Sequence, residues 1–332
     1  MSGLFSSGIL GTGSCLPEKR LTNLDLEKIV DTTDEWIHQR TGIRERRILD
    51  EGTPALDLAE KAAQRALDRA GIQADAIDLI IVATVTPDYL TPSMSCSVQG
   101  RIGAVNAAAF DINAACTGFV YALNVAQQYI GTGAARHVLV VAVESLSRVT
   151  DWQDRKTCVL FGDGAGAAVL GRVAEGTGIL ASLIGADGTQ GGVLTIPAFH
   201  MTDADRAVRS EGKTQVLWMD GSEVFAFAAR IMSDSVRKVS EKAGLLVEEL
   251  NWIFPHQANM RILQNAQKRL KVPMDRIYSN LEFTGNISSA SIPVCLDEAV
   301  DKGLLKRGDA LVLVAFGGGL TYGATAIRWT MD

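Results

Sequence analysis

Cys116 is the side chain in this sequence best placed to act as a nucleophile. It lies in the segment DINAACTGF at residues 111–119, directly before an apolar run that is typical of a buried helix. A thiol at a helix start faces unpaired backbone N–H groups and the positive end of the helix dipole, which favour the thiolate. Cys116 could instead be a small buried hydrophobic residue. The small neighbours Ala114, Ala115 and Gly118 favour the nucleophile, because they leave room for a substrate to reach the sulfur.

Two further polar segments could supply the groups that such a nucleophile needs. His256 lies in PHQAN at residues 255–259, and Asn286 lies in TGNISSAS at residues 284–291. His256 could be a core histidine bonded to the backbone, but the polar residues beside it favour a polar cavity. Asn286 could be a turn residue after a glycine, but it is surrounded by small residues. A base and an amide donor beside a thiol predict acyl-transfer chemistry.

Two glycine-rich segments follow or begin strand-like runs. FGGGLT at residues 316–321 lets backbone approach a ligand closely, and an N–H there could form one side of an oxyanion hole. FGDGAGA at residues 161–167 resembles a phosphate-binding loop but lacks the lysine and hydroxyl residue of a Walker motif. We interpret this second segment as tight strand packing beside the site.

The composition indicates a globular protein and excludes several classes. The 332 residues are 47% apolar and 21% charged, and the net charge of −6 argues against a general nucleic-acid binder. No apolar run is long enough to span a membrane, and residues 1–7 (MSGLFSS) lack the pattern of a signal peptide, so we expect a cytoplasmic enzyme. The five scattered cysteines predict neither a disulfide framework nor a cysteine-rich zinc site.

An internal repeat predicts how the polar segments come together. With an offset of about 173 residues, residues 71–83 align with residues 244–256, and both read as a helix end, a turn and a buried strand. The same offset puts Cys116 opposite Ser289, beside the segment that holds Asn286. In a pseudo-twofold fold, equivalent helix starts from the two halves can meet at one site. The sequence therefore predicts a duplicated α/β protein with the three candidate residues as neighbours.

The repeat also divides the chain. We expect an N-terminal half at residues 1–174 with the cysteine and a C-terminal half at residues 175–332 with the histidine and asparagine, linked near residues 171–178. Residues 185–222 are polar and glycine-bearing with little clear period, which is typical of a lid or binding loop.

Taken together, these segments resemble the β-ketoacyl-acyl-carrier-protein synthase III family, the initiating condensing enzymes of type II fatty-acid synthesis in the thiolase superfamily. The resemblance covers essentially the whole chain, from TDEW at residues 33–36 and RTGI at residues 40–43 through residues 163–167 to the last glycine segment. It implies a five-layered αβαβα fold built from two duplicated halves, a homodimer, and no metal or redox cofactor, since acyl-CoA is a substrate.

The resemblance assigns catalytic roles to matching positions. It makes Cys116 the acylated nucleophile, with its own N–H and that of Gly318 as the oxyanion hole. It makes His256 and Asn286 the pair that binds the malonyl thioester carbonyl. The implied reaction is the decarboxylative Claisen condensation of an acyl-CoA primer with malonyl-acyl-carrier protein, which gives a β-ketoacyl-acyl-carrier protein.

The resemblance also implies binding surfaces. Residues matching the coenzyme A site are Trp36, Arg40, Arg155 and Asn259, of which the tryptophan and Arg155 would stack on the two faces of adenine. The carrier protein is acidic as a class, so we expect a basic surface on the helix predicted after the histidine. It carries Arg261, Lys268, Arg269 and Lys271. The spacing from residue 261 to residue 268 keeps two of them on one helix face, although an ordinary solvated face has the same composition.

Thr91 bears on the length of the acyl substrate. The family often has a bulky aromatic residue at this position, where it reaches into the acyl pocket of the partner subunit. A threonine here predicts a deeper pocket that accepts primers longer than acetyl, or branched ones.

Two other kinds of enzyme in the superfamily fit the sequence less well, and one further alternative stays open. Biosynthetic thiolases need a second cysteine in the C-terminal glycine loop, which residues 317–319 lack, and elongating synthases have a second histidine where Asn286 stands. A secondary-metabolism enzyme that condenses a starter unit, or an acyltransferase, keeps the same three candidates and stays open. From a different class, a catalytically silent dimer could bind acyl-CoA, but the intact set of three argues against it.

Overall fold

Strands and helices are interspersed along the described part of the chain. The computed structural model describes residues 4–209, 213 and 215–332. Residues 1–3 of the segment inspected for a signal peptide, and residues 210–212 and 214 of the predicted loop, lie outside the described residues. The strands are β1 (Ser7–Cys15), β2 (Arg20–Thr22), β3 (Glu45–Arg47), β4 (Leu79–Ala83), β5 (Ala108–Ile112), β6 (His137–Ser145), β7 (Asp163–Arg172), β8 (Gly178–Ala186), β9 (Leu194–Thr195), β10 (Trp218–Met219), β11 (Trp252–Pro255), β12 (Ala310–Gly317) and β13 (Thr321–Arg328).

The α-helices are α1 (Asn23–Leu26), α2 (Asp34–Thr41), α3 (Ala55–Ala70), α4 (Met94–Ile102), α5 (Gly118–Gly131), α6 (Arg155–Cys158), α7 (Asp203–Ala207), α8 (Gly221–Lys242), α9 (Met260–Leu270), α10 (Leu281–Thr284) and α11 (Ser291–Asp301). Short 3₁₀ turns join them at Ala74–Ala76, Ala115–Thr117, Leu146–Val149, Gly188–Val193, Val247–Glu249, Met274–Arg276 and Ser288–Ala290. No α-helix of the described segments is long and apolar enough to cross a membrane.

Two mixed sheets have the same strand order. The first runs β1-β7-β6-β4-β5 and the second β8-β13-β12-β11. In each sheet the first two pairings are antiparallel and the next is parallel. A parallel bridge from Ile253 to Ile277 stands where β5 pairs with β4 in the first sheet. Because β4 and β11, and likewise β6 and β12, begin about 173 residues apart, the duplication predicted from the sequence is confirmed.

The side chains of the two sheets divide between inner and outer layers. Leu79 and Ile81 of β4 pack inward with α5 and α11, while Ile80 and Val82 pack outward with α3 and α4. The second sheet likewise packs inward on α5 and α11 and outward on α8 and α9. Strands covered on both faces need continuous apolar runs, which explains the sequence pattern of β4, β6 and β12. The predicted five-layered αβαβα fold is confirmed.

The first sheet uses strands between Ser7 and Arg172, and the second uses strands between Gly178 and Arg328. The two stretches lie on either side of the boundary predicted at residue 174. All five cysteines are free in the structure.

A buried carboxylate fixes α11 of the second half against the first half. The Asp297 side chain is fully buried and accepts hydrogen bonds from the hydroxyls of Thr12 (2.9 Å) and Ser14 (2.6 Å) on β1. It also forms ion pairs with Arg65 and Arg69 of α3. Since α11 begins beside the candidate site, this cluster fixes the helix that carries the site.

Candidate active site

One cavity of about 1340 Å³ lies where the carboxyl ends of β4, β6, β11 and β12 meet the starts of α5 and α11. Cys116, His256 and Asn286 all line it, although they are far apart in the sequence. The repeat explains the meeting, because the 3₁₀ turn before α5 and the 3₁₀ turn before α11 are equivalent elements of the two halves.

Cys116 lies in the 3₁₀ turn that leads into α5. The preceding residue, Ala115, has a φ of +47°, a left-handed conformation that side chains rarely adopt. Thr117 anchors the turn, since its hydroxyl lies 2.7 Å from that of Thr321. Gly317 of β12 packs directly on the turn, because a Cβ there would lie 2.6 Å from the backbone N of Cys116. The nucleophile therefore stands on a strained turn that is held from both sides.

The Cys116 thiol is protonated in the resting site. Burial raises its pKa to about 12, and a charge on the neighbouring Glu144 would raise it further. Hydrogen bonds from the Ser288 hydroxyl and from the backbone N–H of Cys116 lower the pKa, but they do not outweigh burial. The expectation that the helix start makes a resting thiolate is wrong. Loss of water around the buried sulfur destabilises the thiolate more than the N–H groups at the helix start stabilise it.

His256 follows β11 and is a neutral imidazole. Its backbone N–H donates to the carbonyl of Val314 (2.8 Å), and its ring packs edge-on against Phe316 with centroids 5.5 Å apart. Burial lowers the pKa of the imidazole to about 3, although a hydrogen bond that the ring donates to the backbone carbonyl of Ser288 opposes that shift. A neutral ring can donate one N–H and accept at the other nitrogen.

The Asn286 amide is oriented by its surroundings. Its backbone N–H donates to the carbonyl of Leu160 (2.8 Å), and its carbonyl accepts from the N–H of Gly162 (3.0 Å). Its Oδ1 accepts the backbone N–H of Ser288 at 2.9 Å. The amide therefore keeps Nδ2 as its remaining donor, and the side chain lies on the cavity wall.

The glycines of the FGDGAGA segment are needed for close packing. A Cβ on Gly162 would lie 2.5 Å from the carbonyl O of Thr284, and one on Gly166 would lie 2.8 Å from Pro293. Asp163 of the same segment is buried and accepts the backbone N–H groups of Leu49 and Ser147. The interpretation as tight strand packing agrees with these contacts. Gly318, the other predicted oxyanion residue, lines the cavity with Cys116.

Of the residues predicted to bind coenzyme A, Trp36, Arg40 and Asn259 line the cavity, and Arg155 lies beside Trp36 without lining it. Trp36 of α2 has the guanidinium of Arg155 4.8 Å from its ring centroid and that of Arg40 at 5.7 Å. Asn259 caps α9 by accepting the N–H of Arg261 (2.8 Å), and its Nδ2 donates to the carbonyl of Arg40 (3.1 Å). Since a stacked base needs about 3.4 Å on each face, a purine between Trp36 and Arg155 requires the arginine to move outward.

The predicted docking helix exists as α9, and its basic residues differ in position. Arg261 is exposed and lines the cavity mouth, and Lys268 is exposed farther along the helix. Arg269 is exposed near its end. Lys271 was predicted on the helix, but it lies just past the helix end with a φ of +59°.

Thr91 is exposed and does not line this chain's own cavity, whereas its neighbour Leu90 does. Leu90 is nevertheless 67% exposed on its outer side. In the predicted lid or binding loop, the described part contributes apolar cavity walls, among them Leu194, Phe199 and Leu217.

Sequence reasoning missed Ser288 and Glu144. Ser288 has a φ of +47°, the same strained value as Ala115 at the equivalent position of the first half. It contacts all three candidate catalytic residues, through its N–H, its carbonyl and its hydroxyl. The repeat offset was the signal that could have found it, because that offset aligns Ser288 with the residue before the nucleophile.

Comparisons with known proteins agree over the whole length of the chain. The model of 3-oxoacyl-[acyl-carrier-protein] synthase III matches residues 110–188, and the model of its C-terminal part matches residues 240–329. A relative from Caldanaerobacter subterraneus, named beta-ketoacyl-[acyl-carrier-protein] synthase III, is 52% identical over 98% of this chain and 98% of its own.

Two solved structures are similar in fold and sequence. The 3-oxoacyl-[acyl-carrier-protein] synthase III from Aquifex aeolicus VF5 superposes with a TM-score of 0.90 at 45% identity, over 98% of this chain and 100% of its own. The priming β-ketosynthase from the R1128 polyketide biosynthetic pathway superposes with a TM-score of 0.92 at 38% identity, over 99% of this chain and 98% of its own.

Proposed function

Because this chain belongs to the 3-oxoacyl-[acyl-carrier-protein] synthase III family, we propose that Cys116, His256 and Asn286 carry out the condensation that initiates fatty-acid synthesis. The chain is an acyltransferase that joins an acyl-CoA primer to malonyl-acyl-carrier protein and releases carbon dioxide. The observation that carries the residue assignment is the meeting of the three side chains, with Ser288 between them, on one cavity wall.

In the first half-reaction the Cys116 sulfur attacks the thioester carbonyl of acyl-CoA. Because the thiol is protonated at rest, its proton must leave as the C–S bond forms, and the neutral His256 is a suitable acceptor. The backbone N–H groups of Cys116 and Gly318 stabilise the tetrahedral oxyanion, and coenzyme A then leaves with the proton. An oxyanion donor of this kind contributes roughly 3 kcal/mol to lowering the barrier.

In the second half-reaction malonyl-acyl-carrier protein loses carbon dioxide. The electrons of the breaking C–C bond form an enolate, whose oxygen receives hydrogen bonds from His256 and from Nδ2 of Asn286. Asn286 suits this role because the Ser288 N–H orients its amide. His256 donates the single N–H of its neutral ring, which turns from the Ser288 carbonyl to the enolate oxygen in this step. The enolate carbon attacks the acyl group on Cys116, and the C–S bond breaks to leave a β-ketoacyl product on the carrier protein and a Cys116 thiolate. The thiolate then takes up a proton from water, which restores the resting thiol.

Coenzyme A enters where Trp36, Arg40 and Asn259 line the cavity, with Arg155 beside Trp36. The indole and a displaced Arg155 hold adenine between them, and Arg40 binds phosphate through paired donors. The acidic carrier protein docks on the basic face that Arg261 and Lys268 present, with Arg269 and Lys271 beside it. No metal or redox cofactor has a role in these steps.

We also propose that the protein acts as a homodimer in the cytoplasm. β5 is the last strand of its sheet, and Tyr89 and Leu90 are 68% and 67% exposed nearby along the chain before α4. An open strand edge and exposed apolar side chains suit a second copy of this chain. Thr91 of one subunit then reaches the acyl cavity of the other, and its small size leaves that cavity deep enough for primers longer than acetyl.

The experiment that tests the function is an intact-mass measurement on protein incubated with acyl-CoAs of graded length. Acylation of the wild type but not of Cys116→Ala, followed by discharge when malonyl-acyl-carrier protein is added, supports the proposal. Acylation without discharge would favour a different acceptor, as in the starter-unit enzyme that the 38% identical polyketide ketosynthase represents. A rate with acetyl-CoA far above that with hexanoyl-CoA or octanoyl-CoA would contradict the role of Thr91.

A further inference from the structure

Glu144 is a buried carboxyl group that the condensation steps do not use. It lies in β6 next to its carboxyl end, it is fully inaccessible, and it lies close enough to Cys116 to affect the thiol electrostatically. Its hydrogen-bond partners are neutral groups of two segments, residues 84–86 and residues 288–289. An ionised carboxylate buried among neutral groups would carry a large desolvation cost, so its protonation state needs an explanation.

One carboxyl oxygen can only accept. Oε2 of Glu144 receives the backbone N–H of Val85 at 3.1 Å and the hydroxyl of Thr86 at 2.7 Å. The Thr86 oxygen accepts the backbone N–H of Ser145 at 2.8 Å, and the Thr86 hydroxyl donates its own proton to the carboxyl. Oε2 therefore acts as the carbonyl oxygen of the group.

The other oxygen faces a hydroxyl that has two acceptors and one proton. The Ser289 hydroxyl lies 2.7 Å from Oε1 of Glu144 and 3.2 Å from the backbone carbonyl of Ala83. A carbonyl can only accept, so an ionised Glu144 would leave the serine with two acceptors for a single proton. A protonated Oε1 donates to Ser289, and Ser289 then donates to Ala83. Protonation satisfies both contacts.

The internal repeat relates Glu144 and Ser289 to residues of the candidate active site. With the offset of about 173 residues, Ser289 corresponds to Cys116, Ala83 corresponds to His256, and Glu144 corresponds to Gly317. The repeat thus gives a second, equivalent arrangement whose nucleophile position is a serine and whose base position is an alanine. In it the Glu144 side chain contacts Ser289, whereas its equivalent Gly317 has no side chain and packs directly on Cys116.

We propose that Glu144 is a neutral carboxylic acid that acts as a positioning residue, holding the Ser288–Ser289 turn and, through Ser288, the three catalytic candidates. The inference rests on the proposed function only in naming Cys116 as the nucleophile. Ser288 hydrogen-bonds to Glu144 as well as to Cys116, so displacement of the carboxyl group disturbs the thiol directly. The neutral state matters because a negative charge there would oppose formation of the thiolate.

The raised pKa of the Glu144 carboxyl agrees with this assignment. Burial raises it, and the hydrogen bonds from Thr86, Ser289 and Val85 lower it by less. The titratable group that faces Glu144 from the neighbouring turn is the Cys116 thiol, which is itself neutral at rest. Neither group therefore brings a charge to the other.

Two readouts test the protonation state without any turnover of acyl-CoA. The first is the infrared carbonyl band of a protonated carboxyl group at pH 8, at which exposed carboxyl groups are ionised. We expect this band in the wild type, a shift of it on labelling with ¹³C-glutamate, its loss in Glu144→Gln, and a change of its frequency in Ser289→Ala. The glutamate label separates Glu144 from Asp163, a second buried carboxyl group whose pKa is also raised.

The second readout is the rate at which iodoacetamide alkylates Cys116 between pH 6 and pH 10. Glu144→Gln keeps the shape and neutral charge, so its pH profile should overlay that of the wild type, whereas the shorter Glu144→Asp should alter the rate by displacing Ser288. An alkylation profile of Glu144→Gln that moves one pH unit or more to lower pH would show that a negative charge had been removed, and would overturn the proposal. Absence of a ¹³C-sensitive acid band in the wild type would also overturn it, even if every variant failed to fold.

Discussion

Gly317 offers a sharp test of how tightly the nucleophile is held. In Gly317→Ala the new Cβ would lie 2.6 Å from the backbone N of Cys116, 3.0 Å from its Cβ and 3.2 Å from its Cα. Carbon atoms pack at about 3.5–4.0 Å, so the two backbones must separate by roughly 1 Å. β12 is paired on both sides, by β11 and by β13, and is buried along its length. The turn that carries Cys116 is therefore the part that moves.

The expected cost follows from that displacement. A shift of about 1 Å at a reacting atom reduces the rate about 100-fold, because the oxyanion donor and the sulfur no longer share one geometry. Overpacking a buried contact costs about 1–3 kcal/mol of stability, so the variant should still fold. The substitution keeps the backbone N–H groups and every catalytic side chain, and the loss is therefore one of position.

The assay is the single-turnover rate of Cys116 acylation by acyl-CoA, followed by intact mass, with urea unfolding measured in parallel. Gly131→Ala is the matched control, since it lies at the other end of the same helix, α5, and its Cβ would meet its nearest neighbour at an ordinary 3.6 Å. The control should acylate at the wild-type rate. If Gly317→Ala also acylated within about threefold of the wild type, the argument that β12 fixes the nucleophile would be refuted.

Three further predictions concern other parts of the molecule. Trp36→Ala should raise KM for acyl-CoA about 10-fold or more and change kcat less, because stacking on a base contributes about 1–3 kcal/mol. An acyl thioester without the nucleotide should react with this variant as it does with the wild type. Asp297→Asn should lose about 3–5 kcal/mol in urea unfolding, since two arginines lose their buried partner, while Asp301→Asn, whose carboxylate is 45% exposed, should lose less than about 1 kcal/mol. His256 has a pKa of about 3 in the folded protein against 6.5 in the unfolded chain, so the unfolded state binds more protons between these values. The free energy of unfolding should therefore fall by on the order of 4 kcal/mol as the pH drops from 6.5 towards 3. An equal fall in His256→Asn would contradict this.

The three candidate residues and the duplicated fold could be predicted from the sequence for the same physical reason. Strands buried on both faces must be continuously apolar, so a polar residue directly after one, such as His256 after β11, is conspicuous. The repeat then relates segments that are distant in the chain, which is how Cys116 was placed near Asn286. Local patterns and one long-range offset were sufficient for this part of the site.

Glu144, Ser288 and the pKa of Cys116 could not be predicted in this way. Glu144 follows an apolar run within β6 and reads as an ordinary charged residue near a strand end, because nothing local shows that neutral partners from two distant segments enclose it. The left-handed φ of Ser288 is imposed by its tertiary contacts, since serine does not favour it. The thiol pKa depends on how much water the folded cavity excludes, and that is a property of the whole arrangement.

The two halves differ where their symmetry would otherwise produce two reactive sites. At the position equivalent to Gly317 the first half has Glu144, and the positions equivalent to Cys116 and His256 are Ser289 and Ala83. The arrangement around Glu144 still has a role in the active site. Its turn, which holds Ser288 and Ser289, hydrogen-bonds to Asn286, His256 and Cys116. A rigid platform requires satisfied buried polar groups, and a protonated Glu144 satisfies them without adding charge. The arrangement around Glu144 thus stabilises the geometry of the equivalent arrangement that holds Cys116.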